Sequence, residues 1–368
     1  MLSFFKCSSP VGKVLSASAA MFALAVVSLS GAALVMPASA DEAAPAAVTG
    51  DAAASADSSK LEYATPSNLS AHDLLLDSTM VGKRMIAVGE FGHVVFSDDG
   101  GKTWEQAKTV PTQVTLTSVY FVNDKIGYAG GHDSTVIRTD DGGNTWTQVY
   151  HNIESQAPIM SIYFSDENHG LAVGAFSFVV ETHDGGKTWT RRTLVAGSTD
   201  DSHLNNIYAT KDGTILVSAE FGKVFRSTDK GATFTEVDTG YEGSFWGGMG
   251  LKDGTALVFG MRGNAYRSTD DGLTWSKIDS GTDKSIGGGW ELDNGTVVLV
   301  GLQGYVGYST DGAKTFKEVT RADRLGYVSV LPAGDNQIAV FGEPGVKLQP
   351  DDATKALDAV GFKFNTGS

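Results

Sequence analysis

One eight-residue phrase is written six times in this chain, and its spacing limits the possible folds more than any other feature. SDDGGKTW begins at Ser97, TDDGGNTW at Thr139, THDGGKTW at Thr182, STDKGATF at Ser227, STDDGLTW at Ser268 and STDGAKTF at Ser309. The third residue of each box (Asp99, Asp141, Asp184, Asp229, Asp270, Asp311) recurs in steps of 42, 43, 45, 41 and 41. A period near 42 is the length of one four-stranded propeller blade. Between boxes, runs such as TSVYF, IGYAGG and TVIRT are short, β-branched or aromatic, and broken by turn residues, so they predict strands. No segment carries a helical stripe. The 45 glycines among 368 residues agree with a chain full of tight reversals.

The box is read as a hairpin lock between the third and fourth strands of a blade. Its Asp accepts backbone N–H groups of the turn, its glycines tolerate positive φ, and its Thr adds a hydroxyl. The closing aromatic (Trp104, Trp146, Trp189, Phe234, Trp275, Phe316) starts the next strand and packs between sheets, burying roughly 150–250 Å². Ala313 replaces glycine in the sixth box, which predicts a shifted turn there. Each carboxylate is alone in its blade, so the boxes are read as structure and not as a shared ion site. Counting one step back and one forward adds a first strand near 74–82 and a worn box, QPDDATKAL, around Asp352. The expected architecture is all-β: a seven-bladed β-propeller of four-stranded antiparallel blades over 61–368. Ring closure pairs blade seven with a strand from the other end of the domain, with 60–66 (KLEYATP) and the C-terminal VGFKFN both in contention.

The first 40 residues read as a signal peptide, with Lys6 and Lys13 ahead of an apolar stretch and Ala38-Ser39-Ala40 at the cleavage point. Cleavage takes the formal charge from −15 to −17 and removes Cys7, the only cysteine, so no disulfide or thiolate metal site is expected. Residues 41–60, rich in Ala, Asp and Ser, predict a flexible leader. The expected location is a periplasm, thylakoid lumen or equivalent exported space. A strongly acidic chain argues against nucleic acid as a partner.

The pattern S/T-x-D-x-G-x-T-W/F resembles the Asp box (BNR repeat) of sialidases and other Asp-box propellers. VFRSTDKGATF and GYAGGHDSTVIRTDDGGNTW most resemble the photosystem II stability/assembly factor family of plants and cyanobacteria, with its Ycf-type bacterial relatives. The resemblance spans residues 70–350. It implies an exported seven-bladed propeller without enzymatic activity that binds a membrane-associated protein client or its exported loops. A photosystem subunit or an RND-type exporter is the implied client. The alternative is a glycan-binding or glycoside-hydrolysing, sialidase-like protein. Against it, the Arg-Ile-Pro phrase of sialidases is absent. Three of the nine arginines, Arg138, Arg226 and Arg267, share one repeat slot, where their stems are expected to cover apolar surface with heads in solvent.

Recognition is expected on the face opposite the boxes, at the turns between second and third strands, because those turns differ from blade to blade. Candidates there are Glu90, Phe91, His132, Asp133, Phe176, Glu220, Phe221, Arg262 and Glu343. Trp246 and Trp290, flanked by glycines, are placed at equivalent entries to blades five and six, where they complete an aromatic, acid-rimmed patch or plug the central channel. No two of the seven histidines have metal-ligand spacing, and no catalytic constellation, metal or cofactor is predicted.

Overall fold

The structure, a computed structural model, describes residues 61–350 except Asp335. All of these belong to the second of two compact units, 50–368. Seven antiparallel sheets follow one another along the chain as the blades of a propeller, over 75–106, 116–150, 159–191, 204–238, 245–278, 286–320 and 327–349. Six sheets have four strands in simple meander order, and the seventh has three among the described residues. The expected worn box beyond Pro350, the C-terminal VGFKFN, the signal peptide and the leader lie outside the described residues. No described helix is long and apolar enough to cross a membrane.

Each blade is graded from inside outwards. Second strands such as Gly170–Gly174 (GLAVG) and Val297–Gly301 (VVLVG) are buried throughout, because a neighbouring blade covers each face of the sheet. Fourth strands such as Thr190–Arg191 and Ser276–Ile278 are mostly exposed and polar. Cores form between blades: Ile86, Val88 and Phe96 of blade one meet Val119, Ile137 and Trp146 of blade two.

Among the described residues, no strand from 61–66 closes the ring. Residues 61–66 form no strand; Ala64 N donates to Val110 O (2.9 Å) and Gln113 Nε2 to Tyr63 O (2.9 Å), which lays this segment along the way out of blade one. Blade seven meets blade one face to face instead. Leu331, Ala339 and Phe341 pack on Leu75, Met85 and Val95, and the hydroxyls of Ser329 and Ser78 lie 2.7 Å apart. An apolar face on each sheet suffices, so no exchanged strand is needed among the described residues.

The first, innermost strand of every blade carries a register shift one residue after its start. The residue passed over is Leu76, Thr117, Met160, Asn205, Trp246, Gly287 or Val328 in turn. The next position forms a belt around the axis: Asp77, Ser118, Ser161, Asn206, Gly247, Gly288 and Ser329. Asp77 Oδ2, Ser118 Oγ and Ser161 Oγ each accept a backbone N–H from the following blade, that of Val119 (2.8 Å), Ile162 (3.2 Å) and Ile207 (3.1 Å). In blades five and six the belt position is glycine; a Cβ on Gly288 would stand 2.2 Å from the carbonyl oxygen of Val328 in blade seven.

Candidate functional site: two faces with different duties

On the box side, both oxygens of every described box carboxylate serve their own turn. In the second box, Asp141 Oδ2 accepts from Thr145 Oγ1 (2.6 Å), while Oδ1 accepts from Thr139 Oγ (2.8 Å) and Thr145 N (2.9 Å). The same contacts recur at Asp99, Asp184, Asp229, Asp270 and Asp311. Thr233, Ser227 and backbone N–H groups hold Asp229 down at about 2, and the equivalent donors hold Asp311 at about 2 against its partial burial. Trp104, Trp146 and Trp275 bond Nε1 to the box glycine carbonyl, whereas Trp189, Phe234 and Phe316 are simply buried. The sixth turn is not shifted. Ala313 adopts φ 60° and still donates to Ser309 Oγ (3.0 Å), accepting backbone strain to keep the hydrogen-bond set.

The repeat-slot arginines do not send their heads to solvent. Arg226 Nε donates to Asp271 O (2.7 Å) and Arg267 Nε to Gly312 O (2.9 Å), in each case a carbonyl of the next blade's box. Arg138 does the same to Gly185 O. Blades one and three have Phe96 and Glu181 in the slot, and they recruit arginines from elsewhere. Arg84 reaches Gly142 O (3.0 Å), and Arg192 reaches Gly231 O (3.1 Å) and Ala232 O (2.9 Å). Sequence reasoning found the slot but missed its partner, which lies about one repeat further along the chain.

On the opposite face, the middle residue of six second-to-third-strand turns is left-handed: Phe91 (φ 58°), Asp133 (54°), Phe176 (56°), Phe221 (57°), Arg262 (55°) and Gln303 (56°). Phe91, Phe176 and Phe221 are 57, 60 and 63% exposed, among the most exposed large apolar side chains described. Arg262 is exposed, His132 and Asp133 are half-buried, and burial pulls the His132 pKa down. Glu90, Glu220 and Glu343 each cap the strand entering their blade, accepting the N–H of Leu74 (3.0 Å), His203 (3.0 Å) and Gly326 (3.1 Å). His203 joins two of these turns: its Nδ1 accepts from Phe176 N (3.0 Å), and its ring meets Phe176 edge-on at 4.8 Å.

The two tryptophans are not equivalent. Trp246 is the passed-over residue of its strand, in register with Gly287 of blade six, near the end of the strand that faces the second-to-third-strand turns. Trp290 stands opposite Val298, three residues beyond Gly287 along its own strand towards the boxes. Partly buried, it packs against both the apolar cluster between blades six and seven and the cluster between blades seven and one. The two glycine runs, FWGGMG and IGGGWE, are offset against each other, and that offset is the reason sequence alone aligned the rings. The structure thus brings the turn residues and Trp246 to one face and leaves Trp290 outside it.

The family model described as Photosynthesis system II assembly factor YCF48 matches residues 145–364, more than half of the chain. This chain belongs to that family. A BNR/Asp-box repeat model matches 95–106, the first box. Among solved structures, "YCF48 bound to D1 peptide" is similar with TM-score 0.61 and 18% identity, over 75% of this chain and 93% of that one. YCF48 from Cyanidioschyzon merolae is similar with TM-score 0.59 and 17% identity, over 75 and 95%. The WD40 propeller domain of Doa1 is similar with TM-score 0.59 and 13% identity, over 77 and 95%. At these identities the structural likeness is one of fold. No curated protein matches the sequence.

Proposed function

We propose that this chain is an exported, non-catalytic binding factor that takes a segment of a membrane-associated protein client on the face opposite its boxes. One observation carries the reading: three phenylalanines are held exposed in left-handed turns. A bulky side chain at positive φ costs roughly 1–2 kcal/mol where glycine would cost little. Leaving its ring in water returns no burial energy. Strain of this kind collects at recognition sites, where a partner supplies the missing contacts. The family and the relative solved with a D1 peptide support a peptide or protein loop as the occupant. The clamped arginines support the non-catalytic reading, since Arg138, Arg226 and Arg267 are tied to three different boxes and do not converge on one carboxylate.

The test is a crosslinking pulldown from the exported compartment with wild type and with Phe91, Phe176 and Phe221 all changed to Gly. Client capture is expected to disappear while the thermal midpoint stays level or rises. Undiminished capture by the triple variant would remove this face from recognition. In parallel, the purified chain is expected to leave fluorogenic sialosides intact; turnover lost on changing Glu90, Glu220 or Glu343 would establish the glycosidase alternative instead.

A further inference from the structure

A cluster with metal-ligand chemistry stands on the box side of blade three. Strand pairing assembles it. His169 immediately precedes the second strand, Glu181 pairs with Leu171 from the third, and His183 is the second residue of the third box. Glu181 Oε1 lies 2.8 Å from His169 Nε2, and Oε2 lies 3.6 Å from His183 Nε2. The two imidazoles are parallel within 5°, with centroids 4.7 Å apart. All three ligating atoms lie within 4.8 Å of one another.

Two tautomers of His169 satisfy its hydrogen bonds. Its Nδ1 faces Ser165 Oγ at 3.1 Å, and that hydroxyl also lies 3.5 Å from the His169 carbonyl oxygen. With the hydroxyl proton directed to Nδ1, Nε2–H donates to Glu181 Oε1; with that proton directed to the carbonyl, Ser165 accepts from Nδ1–H and Nε2 presents a lone pair to the carboxylate. In the second arrangement two lone pairs stand 2.8 Å apart, the disposition that a metal ion between them stabilises. An outer partner on the far nitrogen is also what fixes the orientation of a metal-ligating histidine. Arg192 Nη1, 3.0 Å from Glu181 Oε2, is held in place by two carbonyls of blade four and orients the carboxylate from behind.

We propose that His169, Glu181 and His183 form a binding site for a divalent transition-metal ion of the zinc class. Two imidazoles and a carboxylate suit zinc, cobalt or nickel better than magnesium or calcium, and three protein ligands leave one position open. Bonds of about 2.0–2.1 Å require ligand atoms about 3.3 Å apart, so the His169–Glu181 pair must open by about 0.5 Å and the widest separation must close by up to about 1.5 Å. His183, with its side chain 72% exposed, is free to make that movement. The Arg192 guanidinium opposes a cation, so the affinity belongs below that of a dedicated structural zinc site.

The full chain titrated with Co²⁺ in a non-coordinating buffer is expected to develop visible d–d absorption that saturates near one equivalent and is displaced by Zn²⁺. His183→Ala and His169→Ala should each lose the band, and His203→Ala, on the opposite face, should keep it. His183 is largely exposed, so its variant separates ligation from folding; circular dichroism checks this. As an independent readout, Zn²⁺ should raise the thermal midpoint of wild type and leave that of His183→Ala unmoved. Absence of both signals in wild type, or an unchanged titration in His183→Ala, would overturn the proposal and leave a stacked histidine pair facing Glu181.

Discussion

Arg226 of blade four donates to the carbonyl oxygen of Asp271, 2.7 Å away in the box of blade five. The same relation joins Arg267 to Gly312 (2.9 Å), so the box turn is both a hairpin lock and the acceptor by which one blade holds the next. Hydrogen bonds from a charged donor contribute roughly 1.5–3 kcal/mol when buried, less when half-exposed as here. Arg226→Ala is therefore expected to lower stability by about 1–2 kcal/mol, read as a shift in urea midpoint. Arg226→Lys should recover only part of this, because an ammonium has no planar Nε to reach the turn. An Arg226→Ala midpoint equal to wild type would mean that the blades hold together by apolar packing alone.

What was legible in the sequence was local, and what was hidden was relational. The bonds Asp141 makes close within five residues, so the turn could be written down from its own letters. The partners of Arg138 and Arg226 lie 47 and 45 residues onward, a distance the period contains but a single box does not reveal. Trp290 was misplaced because glycine runs carry no side-chain pattern from which to read register. His169 and His183 have no motif between them; only the pairing of Leu171 with Glu181 brings them together. The exposed Phe91, Phe176 and Phe221 were visible as divergent turns, but their left-handed backbone was not.

Acid should act first through the boxes. Asp229 and Asp311 sit at about 2 in the folded chain against an ordinary 3.8, and the other four box carboxylates are lowered too. A depressed carboxylate stabilises the fold above its unfolded value and loses that contribution as pH falls through its folded value. Stability from this source is thus expected to hold above about pH 4 and to decline between about pH 4 and pH 2. Asp229→Asn should be less stable than wild type at pH 7 and show a shallower decline across that window, followed by denaturant midpoints at each pH. Parallel wild-type and variant curves would detach acid lability from the boxes.

Trp290 belongs to the core between blades six and seven, close to the ring closure. Removing a large, partly buried ring leaves a cavity that the surrounding strands fill only in part. Trp290→Ala should cost about 2–3 kcal/mol and leave client capture proportional to the folded fraction. Loss of capture with an unaltered melting temperature would return this ring to the recognition face.

Asp77 provides the opposite slope. It is the one carboxylate in the inner belt, and burial pushes it up to about 6, although the N–H groups of Val119 and Ser78 and the hydroxyl of Ser118 pull the other way. In the unfolded chain it ionises near 3.8, so between about pH 4 and pH 6 the folded state holds a proton that the unfolded state has released. Its contribution is complete below about pH 4 and is lost as pH rises through about 6. An amide in this position stays neutral and still offers an oxygen to Val119 N, and Asn206 already occupies the same register in blade four. A rise of two pKa units corresponds to roughly 3 kcal/mol. Asp77 is only partly buried, and about 1 kcal/mol is the gain expected at pH 7 for Asp77→Asn. The variant should also flatten the stability profile between pH 4 and pH 6 while leaving the decline below pH 4 in place. Denaturant midpoints at pH 4, 5, 6 and 7 decide the matter: a variant less stable than wild type at pH 7, with the same slope from 4 to 6, would show that the charge at Asp77 is matched within the belt.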